Sequence, residues 1–216
     1  VLGFCLIPLL SVLGIVGNVF NMVVLCRHGF KKSTNIILVS LSLSDFLFSF
    51  LNIAYRLKNL MPYFDQNVGT TVTTFSYILI YPMINIFLCL SLLHVTAIAI
   101  ERFVAVFFPF YVSRIFTPFR VKWTVLSLYI FTVSLLMVLF FYYSYEWVYD
   151  ARYNVTVART VYSQVCRENP GFFNIYIGLV LNNLFTTIPL VIILLCSLAI
   201  AIKLNADTCA GARMSS

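Results

Sequence analysis

Five long apolar runs, separated by short polar stretches, cover most of this chain. They fall at about 1–27, 34–58, 73–107, 121–145 and 172–204. Each holds the roughly 20 residues that a helix needs to cross a bilayer core. The pattern predicts an all-α, integral membrane helical bundle in one transmembrane domain, 1–216. The longest polar stretch, about 146–171, reads as an extracellular loop. A short polar tail is expected from Asn205 to Ser216. Pro62 and Gly69 are expected to break the helix between the second and third runs. Pro82 should kink the third run, and Pro189 lies at mid-depth in the fifth. Gly14 and Gly17 would let a neighbouring helix approach the first run closely. Thr34 and Asn35 are candidate caps of the second.

Polar residues inside the runs are the candidate chemistry. Asp45 stands in the middle of the second run. A carboxylate there must be protonated, caged by polar neighbours or matched by a cation. Asn18, deep in the first run, reads as the source of an interhelical hydrogen bond. In the third run the charged side chains are Glu101 and Arg102, adjacent and close to its end. Ser91, Val95, Ile98 and Arg102 recur at helical spacing on one face, which would look into a bundle. Arg102 could instead mark the end of a span and snorkel to headgroups. His94 is expected to pack or hydrogen-bond, since nothing nearby in sequence supplies a second metal ligand.

Composition fixes the class. The chain is 62% hydrophobic and 10% charged, with a mean hydropathy of +0.98. Soluble domains carry about 25% charged residues. The net charge of +7 is therefore no pointer to nucleic acid, because Lys and Arg gather in the cytoplasmic loops of membrane proteins. Arg27, Lys31, Lys32, Arg102, Arg114, Arg120, Lys122, Lys203 and Arg213 fall on one side. Arg56, Lys58, Arg152, Arg159 and Arg167 fall on the other. Nine against five puts the first side in the cytoplasm and the N-terminus outside. The sequon Asn154-Val155-Thr156 then lies outside, as a glycosylation site must. The six cysteines are scattered, with no paired spacing of a metal site.

Together these residues carry a resemblance. Gly17-Asn18, then Asn35, Leu38, Leu41 and Asp45, then Ser91, then Ile98 through Phe103, then Ala105-Val106 with Pro109, and finally Pro189 stand in order and approximate spacing. The set resembles the rhodopsin-like G-protein-coupled receptors, over the first five of that family's seven helices. The resemblance implies a coupling switch at Glu101, Arg102 and Phe103. It also implies a sodium and water site at Asn18, Asp45 and Ser91, and an activation kink at Pro189. It implies a disulfide between the outer end of helix three and the second outer loop. Cys166 is the loop candidate for it, but Tyr77 stands at the helix position. Trp123 lies too near the cytoplasmic end to be the family's helix-four Trp, and Tyr129 is the candidate replacement. Ile84 stands where monoamine receptors carry an Asp, so a peptide or chemosensory ligand fits better than a monoamine.

The reading is a multi-pass plasma-membrane receptor, truncated before helices six and seven. Its expected partners are an extracellular ligand, a heterotrimeric G protein, the lipid membrane and a second receptor in a dimer, with no nucleic acid. Sodium at Asp45 is the one candidate cofactor. The alternatives are a transporter or channel fragment, with Asp45 on the ion path, and a truncated, non-signalling receptor. A transporter would favour internal repeats, and none is visible. No nucleophile and base stand together, so no enzyme is expected.

Overall fold

The computed structural model describes residues 2–151 and 154–214, with the side chains of 6–151 and 154–208. Arg152 and the side chains of Cys5, Cys209 and Arg213 lie outside the described residues. Five helical spans form a bundle. The first is α1 (Leu2–His28) and the second is α2 (Ser33–Leu57), followed by the short α3 (Met61–Phe64). The third is one continuous helix from Gln66 to Phe107, made of α4 (Gln66–Phe75), a π turn (Ser76–Ile80) and α5 (Tyr81–Phe107). A surface helix, α6 (Pro109–Ile115), leads to the fourth span, α7 (Pro118–Leu136), closed by a 3-10 turn (Met137–Phe141). Strands β1 (Tyr143–Asp150) and β2 (Val155–Tyr162) pair antiparallel as a hairpin. After α8 (Gln164–Glu168), the fifth span runs through α9 (Pro170–Ile175), two π stretches (Tyr176–Leu181 and Asn183–Thr187) and α10 (Ile188–Met214).

The first span exposes Leu9, Leu13, Val16 and Phe20, each more than half bare of protein. Water would not tolerate so broad an apolar face, whereas lipid does. The buried core sits where the third, fourth and fifth spans meet, at Ile86, Leu90, Leu136, Leu181 and Phe185. Gly14 presses against the second span, where an added Cβ would lie 2.7 Å from Ser49 Oγ. Gly17 has no such neighbour.

Several boundaries differ from the sequence expectation. The third span begins seven residues before position 73. Asp65 caps it, accepting from the backbone N–H groups of Asn67 and Val68 at 2.8 and 3.2 Å. Gly69 does not break this helix. It gives room for α3, since a Cβ there would lie 2.7 Å from the backbone nitrogen of Pro62. The fourth span ends early, because the aromatic segment after Phe141 is strand rather than helix. The fifth span runs past position 204 into the polar tail: α10 continues to Met214, supported by a Lys203–Asp207 ion pair one turn apart at 3.6 Å. Thr34 and Asn35 do not cap α2. Thr34 is turned to the third span, and Asn35 Nδ2 donates to the carbonyl of Gly29 at 3.0 Å.

Pro82 and Pro189 act alike. Each follows a π stretch by one intervening residue, Tyr81 in the third span and Ile188 in the fifth. Proline has no N–H to donate, and its ring crowds the carbonyl four residues earlier. A widened turn upstream relieves that crowding without ending the helix.

Candidate functional site

Three groups of residues carry the chemistry, at three depths. At mid-depth, Ser91 Oγ donates to Asp45 Oδ1 at 2.5 Å, joining the third span to the second. Asn18 does not touch Asp45 through a hydrogen bond. It lines the same cleft of about 290 Å³, together with Asn21 and Ser42. Asn18 and Asp45 thus share one space, while Ser91 bonds Asp45 without lining it. Carboxylate, hydroxyl and amide oxygens are the donors that hard cations take, so the set fits a hydrated sodium ion.

At the end of the third span, Glu101 is buried and Arg102 is exposed. The sequence places them side by side, yet they do not pair. Glu101 Oε1 accepts from Thr34 Oγ1 at 2.6 Å and from Ser33 Oγ at 3.3 Å, both in the first turn of α2. Among the described residues its Oε2 is buried without a partner. The reason is rotational. Neighbouring positions on a helix point about 100° apart, so one turns inward while the other faces out. Phe103 is half-buried and stacks on Phe107 with ring centroids 4.6 Å apart. Beside this end lies α6, whose Phe110 is 92% exposed. In the sequence, Pro109 and Pro118 read as bracketing a loop, which gives Phe110 no role. The signal was Pro109, which suits the first turn of a helix.

At the opposite end, a cavity of about 480 Å³ opens between the third, fourth and fifth spans, next to the hairpin. Its polar groups are Tyr81 and Asn85 of the third span, Tyr142 and Tyr143 at the base of the hairpin, and Asn182 and Thr186 of the fifth. Among the described residues, no charged side chain lines it. The fifth-span wall is built largely from the π stretches, which turn Leu181, Phe185 and Thr186 toward the space. Ile84 is buried and is not part of the lining.

A fourth polar group was legible only in part. His94 is fully buried, with Nδ1 2.6 Å from the Leu90 carbonyl and Nε2 2.8 Å from Ser40 Oγ. The Tyr129 hydroxyl lies 3.2 Å from Ser40 Oγ and 3.0 Å from Ser44 Oγ. His94 therefore hydrogen-bonds through both ring nitrogens, and Tyr129 ties the fourth span to the second. The two serines gave no warning, because uncharged hydroxyls are common in apolar helices.

The hairpin is held without a covalent bond. Cys166 is a free, buried thiol, and Cys89 is also free, so the disulfide expected at Cys166 is not formed. Threonines of α4 take over the outer edge of β2. Thr74 Oγ1 donates to the Ala158 carbonyl at 2.9 Å, and the Ala158 N–H donates to Thr71 Oγ1 at 3.4 Å. Asn154 stands exposed near the hairpin tip with φ +53°, its side-chain oxygen bonded by the Tyr149 hydroxyl.

These features meet the comparison with known proteins at one point. No curated protein sequence matches the chain. Residues 17–214 match the family described as 7 transmembrane receptor (rhodopsin family), a span that takes in Asn18, Asp45, Ser91, Glu101, Arg102 and Pro189. The chain belongs to the rhodopsin family of seven-transmembrane receptors.

Proposed function

We propose that this receptor takes a neutral peptide or an uncharged chemosensory compound in the hairpin-end cavity and activates a heterotrimeric G protein at the Arg102 end. The observation that carries the ligand class is the lining of that cavity. It offers phenol, amide and hydroxyl groups among apolar side chains, and no carboxylate. A monoamine would find no carboxylate there to pair with its ammonium, only phenol rings, hydroxyls and amides. The charge rule supports the hairpin end as the extracellular one, with the N-terminus and Asn154 outside. On the same reading Asn154 carries a glycan, the receptor sits in the plasma membrane and Asp45 holds a hydrated sodium ion.

At the other end, Arg102 is an exposed guanidinium with five donors, and the bare ring of Phe110 stands on the surface helix that follows the same span. An exposed aromatic ring and an exposed Arg are residue types enriched in protein interface hot spots. The buried Glu101 carboxylate binds the second span, and Pro189 with its π stretch gives the fifth span a weak point at cavity depth. A ligand that favours one arrangement of these spans shifts the population of the other end.

The test is a second-messenger assay in cells expressing the receptor, challenged with neutral peptides, uncharged volatiles and monoamines. Peptides or volatiles should give the response, and Asn182→Ala should weaken their potency about tenfold, the loss of one hydrogen bond to the ligand. A response to monoamines alone would overturn the ligand class.

A further inference from the structure

Lys58 follows α2 at the hairpin end, and only 6% of it is exposed. A buried ammonium needs a partner. Among the described residues no carboxylate lies within ion-pair distance of it. Its Nζ lies instead 3.5 Å from the centroid of the Tyr55 ring and 3.8 Å from that of Tyr77. Tyr55 belongs to α2, and Tyr77 to the π turn of the third span. The two rings meet edge to face at 5.9 Å. One cation therefore joins two spans through aromatic faces, a contact that strengthens where water is excluded.

The cage continues to the cavity. Tyr81 lies 6.2 Å from Tyr55 and 6.5 Å from Tyr77, and Tyr143 lies 6.3 Å from Tyr77. Tyr81 and Tyr143 both line the cavity, while Lys58, Tyr55 and Tyr77 do not. No disulfide involving Cys89 or Cys166 holds this end.

We propose that Lys58 is a positioning residue for the cavity: its cation, held between Tyr55 and Tyr77, fixes Tyr81 and Tyr143 as the cavity wall at the hairpin end. Its bearing on ligand recognition rests on the reading of that cavity as the ligand site. Removing the cation leaves the Tyr55 and Tyr77 rings facing an uncharged gap, so Tyr77, which meets both Tyr81 and Tyr143, loses its tether. The mouth of the cavity then opens.

Cys89 is a built-in reporter, because it lines the same cavity as a free, partly buried thiol. The experiment measures how fast a small cationic methanethiosulfonate modifies Cys89, in membranes holding the chain with its other cysteines replaced. Lys58→Met should raise the rate about tenfold, the equivalent of one desolvated cation–π contact. Lys58→Arg keeps a cation that stacks on aromatic faces and should leave the rate within about twofold of the parent. An unchanged or slower rate in Lys58→Met, or equal acceleration by both substitutions, would overturn the proposal. Should Lys58→Met fail to reach the membrane, Tyr77→Leu and Tyr77→Phe decide it. Leu should accelerate labelling and Phe should not; equal rates would refute the cage. The readout is cavity access rather than signalling, so its failure and the failure of the receptor reading are told apart.

Discussion

Thr34 Oγ1 donates to Glu101 Oε1 at 2.6 Å, across two spans and 67 positions of sequence. The acid beside Arg102 is thus held by a neighbouring helix, and the guanidinium is left exposed. A charged hydrogen bond of this kind contributes about 1.5–3 kcal/mol. We expect Thr34→Val to weaken the tie between the second and third spans and to raise ligand-free signalling severalfold. Ser33, at 3.3 Å, offers the carboxylate a longer bond, so Ser33→Ala should do less. A second-messenger assay at matched surface expression measures both. Equal basal signalling in Thr34→Val and parent would refute the role of this bond.

Tyr129 is the second hinge of the packing. Its hydroxyl bonds two serines of the second span, and its ring meets His94 edge on with centroids 5.7 Å apart. Hydrogen bonds between membrane helices average about 0.6 kcal/mol. Tyr129→Phe removes the hydroxyl and keeps the ring, and should cost about 1 kcal/mol, or about 2–4 °C in melting temperature. Thermal unfolding in detergent is the measurement. Tyr129→Phe melting with the parent would show that the serines satisfy each other.

The two ends of this account were not equally legible. Apolar runs gave five spans, because a helix in lipid must be apolar over its whole length and few other structures are. Asp45 and Ser91 were found because a lone carboxylate is so costly there that a partner is required. Ser33 and Thr34 were missed as the partners of Glu101. Adjacent residues in sequence invite an ion pair, and helical rotation forbids it. The hairpin was missed because Phe140 through Tyr149 continues the aromatic run of the fourth span. Its alternation of large and small side chains only becomes visible once the register with Val155–Tyr162 is known. Gly69 read as a breaker because close approach by Pro62 cannot be seen in one dimension.

Asp45 and its cleft make a prediction about ions. With Asn18, Asn21 and Ser42 around the same space, replacing choline by sodium at constant ionic strength should raise the melting temperature of the parent. Asp45→Asn removes the charge and should abolish that dependence while keeping the Ser91 bond. Identical sodium dependence in Asp45→Asn and parent would contradict a cation at this carboxylate.

Asn154 tests the sidedness. It is exposed near the hairpin tip, in a sequon, on the side that the basic residues assign to the outside. Glycosidase treatment of receptor from cells should lower its apparent mass, and Asn154→Gln should remove that shift. Labelling of the hairpin only after the cells are permeabilised would reverse the orientation.

The central claim is that Arg102 couples this receptor to a G protein and that Glu101, bound to the second span, restrains it. The most direct measurement is ligand-free guanine-nucleotide exchange on a purified heterotrimer, catalysed by membranes holding the receptor. Glu101→Gln weakens the charged bond to Thr34 and should raise the exchange rate about tenfold. Adding Arg102→Ala to Glu101→Gln should return exchange to background at unchanged receptor abundance. Exchange by the double variant equal to that of Glu101→Gln alone would contradict the claim and leave Arg102 as a headgroup anchor.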